Sequence, residues 1–322
     1  SVMKQARKKE LTALQTLKDL ISHNREFDII DLFSDLHAAD IADLIDELEE
    51  EDRLKLFSLL DVEKASDVIL ELSDSSREQL IEDLPQERLT DIIEEMASDD
   101  KADIIAELSD DQAKAVLEAI EPEESEEVRE LLKHADDTAG GIMQSELVSV
   151  RKTATINDAF QAVVDARDEM ENIHSIFVVD EENALVGTVP LQRLITMRRF
   201  TPIVDVIDED IPGVRADMDQ EEVARLFEKY DLVEAGVVDE KQRLLGRIVI
   251  DDVVDAIQEE TSEDMFRIAG LGHDDNIFNK VSEAVKKRLP WLYLNLLTAL
   301  SSVLVIGYFE DTIKGMVALV FF

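Results

Sequence analysis

FVVDEENALVGTVPLQRLI (177–195) and GVVDEKQRLLGRIVIDDVV (236–254) are two copies of one pattern, and that pattern decides the fold of the middle of the chain. Each opens on a β-branched run ending in Val-Val-Asp, crosses a polar turn, and resumes as a strand led by Gly187 or Gly246 before a helical pattern begins. Short β-branched runs joined by a tight polar link predict a hairpin. Upstream of each copy, LVSVRKTATINDAFQAVVDA (147–166) matches IPGVRADMDQEEVARLFEKY (211–230). Both start strand-like and continue into an amphipathic helix, expected at 156–166 and 220–229. The predicted unit is β-α-β-β-α, repeated over 146–200 and 207–260, with five more residues between helix and strand in the first copy.

Further upstream the period changes. Leu36, Leu48, Leu60, Leu72, Leu84, Met96, Leu108 and Ile120 recur every 12 residues, inside a fuller repeat of 24 seen in LHAADIADLIDEL, LDVEKASDVILEL and LPQERLTDIIEEM. Ile41, Leu44, Ile45 and Leu48 follow the i, i+3, i+4, i+7 spacing of one helical face. Asp61 and Ser109 stand where N-caps belong. A stack of short helices, wound with either hand over 1–135, is expected, because helices this short need neighbours to be stable. Asp43, Asp67, Asp91 and Asp103 each lie seven residues after an anchor and should share one surface. Asp99 and Asp103, i and i+4 on one face, repel each other, and a bound cation would relieve that cost.

Downstream lies the densest charge, IDDVVDAIQEETSED (250–264), in which Asp252, Asp255, Glu259 and Glu263 fall on one helical face with no base among them. Magnesium keeps several waters and takes one or two carboxylates per site, so loose carboxylate pairs on facing surfaces suit it. The chain then reaches LPWLYLNLLTALSSVLVIGYF (289–309), 21 positions without a charge after Lys286, Lys287 and Arg288. That length suffices to cross a bilayer, and the basic flank places 1–288 on the cytoplasmic side. A second apolar run begins at Gly315. The sequence is accordingly expected to be the front of a longer multi-pass protein of the cell inner membrane.

Composition narrows the partners. A net charge of −42 repels nucleic acid and favours cations. With no cysteine, disulfides and thiolate metal sites are excluded. The five histidines are scattered with no i, i+4 pair to suggest zinc, and there is no GxxxxGK phosphate loop and no nucleophile–base motif.

Each tandem copy resembles a CBS module, through Val-Val-Asp-Glu and the following Leu-Val-Gly or Leu-Leu-Gly. The order of acidic helical array, DDTAGGIM (136–143), CBS pair, acidic helix, KKRLPWL (286–292) and apolar run resembles an MgtE-type magnesium channel along essentially the whole chain. The resemblance implies a multidomain protein: an all-α superhelical solenoid (1–135), an α/β tandem CBS pair (136–206 and 207–262), a plug or linker helix (263–288, helical over 274–287), a transmembrane helix (289–309) and the start of a second (310–322). It implies a homodimer, no catalysis, and magnesium as both regulatory and transported ion. Carried over by position, the cytosolic magnesium ligands fall on Asp67, Asp99 and Asp103, on Glu221 and Asp231, and on Asp252, Asp255, Glu260, Glu263 and Asp264. The rival implication is a membrane-anchored CBS-type sensor of adenine nucleotide acting on a partner protein. CBS pairs commonly place an aspartate six residues after the strand glycine to bind ribose. Here Arg193 stands there in the first copy; the second has Asp252 but Val249 in place of Ser or Thr, so ATP stays open as a ligand.

Overall fold

A computed structural model describes residues 13–168, 170, 172–208, 213–268 and 281–308, in two compact units, Ser1–Ala256 and Ile257–Phe322. The first begins with helix α1 (13–22) and the short helices α2 (Glu26–Ser34), α3 (Ala38–Asp46), α4 (Glu50–Phe57), α5 (Val62–Leu70) and α6 (Asp74–Asp83). It continues with α7 (Gln86–Glu94), α8 (Ser98–Glu107), α9 (Asp110–Ala119) and α10 (Pro122–Leu131). No strand occurs among the described residues before 136. The 24-residue repeat is a pair of helices: α3 packs on α5, α5 on α7 and α7 on α9, while α4 packs on α6 and α8 on α10. Seven of the anchors, Leu48 through Ile120, are buried, and Leu36 is half-buried at the start of the row. Each buried anchor contributes roughly 1.5–3 kcal/mol of transfer free energy, which offsets the weakness of helices this short.

Local chemistry marks the helix starts unevenly. Asp61 caps α5, its carboxylate accepting from the Lys64 N–H at 2.8 Å. Ser109 occupies the N-cap position of α9 but makes no cap; its hydroxyl donates to Gln112 Oε1 at 2.6 Å. Asp43, Asp67, Asp91 and Asp103 are all exposed, as their equivalent positions require.

The two modules have matching sheets. In the first, β1 (Ser149–Arg151) leads through α11 (Ile156–Asp165) to β2 (Ser175–Val179), which runs parallel to β1 and antiparallel to β3 (Leu185–Pro190). Helix α12 (Leu191–Thr196) follows. In the second, β4 (Val214–Arg215), α13 (Gln220–Tyr230), β5 (Glu234–Val238), β6 (Leu244–Val249) and α14 (Ile250–Ile268) repeat the arrangement. The Val-Val-Asp motif now has a physical reason. Asp180 accepts from the N–H groups of Glu182 and Ala184, and Asp239 from those of Lys241 and Arg243, so each aspartate folds its own hairpin turn.

The motif glycines do not start their strands; β3 and β6 begin two residues earlier, at Leu185 and Leu244. Their role is to let another segment cross. A Cβ at Gly187 would lie 2.6 Å from the Asp208 carbonyl oxygen, and one at Gly246 would lie 2.5 Å from that of Gln144. The chain from 137 to 144 thereby lies along the second module, although the first module follows it in sequence. Ala139 N–H donates to Met218 O, Gly140 N–H to Ala216 O, and Gln144 pairs with Arg247 in both directions at 2.8 and 2.9 Å.

The second unit contains the remainder of α14 and the helix α15 (Val281–Tyr308). Of the expected plug or linker segment, 269–280 lie outside the described residues, while 281–288 open α15 itself. No helix boundary therefore separates a plug helix from the apolar run. Positions 292–303 of α15 are exposed, including Leu292, Leu297 and Val303. Among the described residues no helix is long and apolar enough to cross a membrane. Of the expected crossing at 289–309, residues 289–308 lie in α15, while 309 and the whole second span at 310–322 lie outside the described residues.

Candidate metal centre

Three segments of the first unit bring carboxylates together: the first turn of α8, the link at 144–146, and the first turn of α14. Glu146 joins the first two, its carboxylate accepting from the Ser98 N–H at 3.1 Å and the Ser98 hydroxyl at 2.7 Å. Ser145 N–H donates to the same hydroxyl at 2.8 Å. The N-terminus of α8 is thus held by a residue 48 positions away rather than by its own N-cap, Ala97, which offers no side-chain cap.

Burial dominates the electrostatics here. Asp99 is 6% exposed, and burial pushes its carboxyl up to about 6, against the hydrogen bonds from the Asp100 N–H and the Gln144 amide that lower it. A helix N-terminus ordinarily favours anions, so desolvation outweighs the helix dipole at this position. Asp100 is raised to about 8 by burial and then by Asp99, Asp103, Asp255 and Glu146. Asp252 is raised to about 9 by burial, Asp99 and Asp251, with the Val249 N–H and Asp100 as smaller influences. Asp255 is raised by burial and by Asp251. These carboxyls stand close enough to resist ionising together.

A cleft of about 270 Å³ opens beside them, lined by Asp67, Glu95, Asp100, Glu146 and Asp251 among others. Arg247 lines it too, and forms a buried ion pair, Nη1 to Glu234 Oε1 at 2.8 Å. Arg247 also donates to the Asn172 carbonyl at 2.7 Å and to Gln144 Oε1 at 3.0 Å, while Glu234 accepts from the Ser175 N–H at 2.7 Å. This pair ties the first module, the second module and the 137–144 link together.

The fit to a divalent ion can be judged from the donors. Among the described residues, no three His, Asp or Glu side chains gather into a ready cage. Yet Asp99 Oδ1 is buried and has no hydrogen-bond partner, a costly state for an anionic oxygen. Gln144 Nε2 donates to Asp252 Oδ2 at 3.3 Å. One or two carboxylates with room for water beside them match the way magnesium is held, and do not match a calcium or zinc cage.

The expected ligands distribute unequally. Asp99, Asp103, Asp252 and Asp255 meet around Asp100, and Asp67 reaches the adjoining cleft. Asp99 and Asp103 nonetheless part company: Asp99 is buried, whereas Asp103 is exposed with Arg77 near it. Glu221 and Asp231 sit at opposite ends of α13, roughly 15 Å apart at 1.5 Å per residue, so within one chain they cannot share an ion. Glu221 is engaged by Arg225 at 2.6 Å, and Asp231 is the left-handed C-cap. Glu260 belongs to the second unit, and the side chains of Glu263 and Asp264 lie outside those described. Asp100, Asp251, Glu146 and Gln144 were not among the expected ligands. The first two adjoin expected ligands in SDD (98–100) and IDD (250–252); for Glu146 and Gln144 nothing in the sequence marks their proximity to α8 and α14.

The model of the MgtE intracellular N domain matches 36–137, and that of the CBS domain matches 139–199 and 203–259. The crystal structure of the cytosolic domain of the Mg2+ channel MgtE in complex with ATP superimposes with a TM-score of 0.71 at 33% identity, covering 75% of this chain and 99% of that one. The chain belongs to the MgtE family. Curated MgtE relatives include the magnesium transporters of Enterococcus faecalis, 35% identical over 192 residues, and of Thermus thermophilus, 32% identical over 205. These alignments cover 60% and 63% of this chain, but only 42% and 46% of the relatives, so the chain spans less than half their length. The soluble part of a magnesium transporter is a further neighbour in fold, with a TM-score of 0.69 at 29% identity over 78% of this chain and 99% of that structure.

Proposed function

We propose that this chain is the magnesium-sensing and gating region of a homodimeric, multi-pass membrane protein that lets magnesium into the cytoplasm. Residues 1–288 lie on the cytoplasmic side in this view. The observation that carries it is the group of carboxylates at the α8–α14 contact, Asp99 buried and Asp100 and Asp252 half-buried, with Asp99 Oδ1 lacking any hydrogen-bond partner. When cytoplasmic magnesium is scarce, Asp99, Asp100, Asp252 and Asp255 can be gathered only by repelling as anions or by taking up protons, and the helical array separates from the CBS pair. When it is plentiful, ions neutralise the contact and the compact arrangement is favoured. A ligand shifts such an equilibrium only by its preference for one state, so several weak sites act together. Asp67, Asp103, Glu221, Asp231, Glu260, Glu263 and Asp264 are proposed as further ligands, with Glu221 and Asp231 serving separate ions or surfaces.

The test is limited proteolysis of the full chain against magnesium concentration. Millimolar magnesium should protect the 1–256 unit at concentrations where an equal ionic strength of sodium does not, since screening alone acts gradually. Neutralising Asp252, Asp255, Glu260 and Glu263 together should remove most of the protection. Unchanged digestion of the wild-type chain in magnesium would sink the proposal.

A second ligand is proposed because a relative's cytosolic domain was crystallised with ATP. The cleft beside Arg247 is the candidate place, and Asn172, His174 and Val249 line it. Strong protection by ATP without any by magnesium would favour a nucleotide sensor acting on a partner protein.

A further inference from the structure

We propose that Gln144 is a positioning residue for the cation site, fixing which oxygen of Asp252 an ion meets; the inference rests on the magnesium-sensing function above. The carboxamide of Gln144 is held in one orientation. Its Oε1 accepts from Arg247 Nη2 at 3.0 Å, which directs Nε2 toward Asp252 Oδ2 at 3.3 Å. Arg247 cannot easily yield, because Glu234 and the Asn172 carbonyl hold its other nitrogen. The Gln144 backbone is equally fixed by its two bonds to Arg247, across the space that Gly246 leaves open.

The Val249 N–H is directed at the same Oδ2, at 3.4 Å. Both donors therefore engage one oxygen of Asp252 and leave Oδ1 as the oxygen to which neither is directed. Opposite, Asp99 accepts from the Asp100 N–H and the Gln144 amide, yet its Oδ1 is buried and has no hydrogen-bond partner. An ion shared by the two carboxylates would take one oxygen from each, and Gln144 keeps the second oxygen of Asp252 from competing. Gln144 is itself buried, 9% exposed, and its carboxamide gains nothing from solvent that would explain this geometry. Outer-shell donors of this kind commonly change metal affinity by about 10–100-fold when removed.

The experiment is a mutant cycle on the full chain, read as the magnesium concentration giving half-maximal protease protection. Gln144→Leu should raise that midpoint about tenfold or more. Gln144→Asn keeps a carboxamide but is one methylene too short to span Arg247 and Asp252; it should give a similar shift with less disturbance of folding. In an Asp252→Asn background either change should shift the midpoint less, the remainder being what Gln144 does through its bond to Asp99. A purely structural role would instead move the midpoint equally in both backgrounds, and that result would overturn the inference, as would unmoved midpoints in both Gln144 variants of a magnesium-responsive chain. A wild-type chain with no magnesium response overturns the sensing function and the inference with it.

Discussion

Asp252→Asn should cut the pH dependence of stability of the 1–256 unit by about half when no divalent ion is present. In the folded chain Asp252 is pushed up to about 9 and Asp100 to about 8, burial being the largest cause for each. Unfolded, both return to the ordinary value of about 3.9. Between pH 6 and 8 the folded pair therefore holds between one and two protons, and the unfolded chain holds none. The folded state binds more protons, so stability is greatest at low pH and is lost as pH rises toward the folded values. Two such protons give a slope of at most about 2.7 kcal/mol per pH unit. Because the two carboxyls share one repulsion, about half of that is expected, or about 2.7 kcal/mol between pH 6 and 8. For a unit of this size that is a rise of about 5–10 °C in Tm on acidifying from pH 8 to 6. Asp252→Asn removes one of the two protons, and should melt higher than the wild type at pH 8. Magnesium at a hundred times its Kd should add about 2.7 kcal/mol at pH 8, and less at pH 6 where protons occupy the oxygens. Scanning calorimetry in chelator at pH 6, 7 and 8 measures this, with His174→Gln as control because His174 lines the cleft. A stability that is flat or rising with pH in chelator would refute the reasoning, as would an Asp252→Asn variant with the full wild-type slope.

Other contacts give independent tests. Leu72→Ala, at a buried anchor of the helical array, should cost about 2–5 kcal/mol in urea unfolding. Arg247→Met leaves Glu234 buried and unpaired and should cost about 3–5 kcal/mol, whereas Arg247→Met with Glu234→Met should recover much of the loss. Glu146→Ala frees the N-terminus of α8 and should cost about 1–2 kcal/mol, with faster amide exchange confined to the first turn of that helix.

The elements themselves were determined locally. The 12-residue spacing of Leu48 to Ile120 specifies short helices with one buried face, because an apolar stripe at helical period can be covered only by a neighbouring helix. Val-Val-Asp followed by a polar turn specifies each hairpin, because the aspartate side chain bonds the turn's own N–H groups. The abundance of carboxylates, and therefore the attraction to cations, is likewise a property of composition. Which carboxylates are costly was decided by the tertiary structure alone. Asp99 and Asp103 fall on one helical face by their i, i+4 spacing, yet the α8–α14 contact buries Asp99 and leaves Asp103 in solvent, and desolvation depends on that contact rather than on the neighbours in sequence. Glu146 and Gln144 carry no signal of their own. They become part of the site because the 137–144 link crosses Gly246 onto the second module, a long-range pairing that no local pattern encodes.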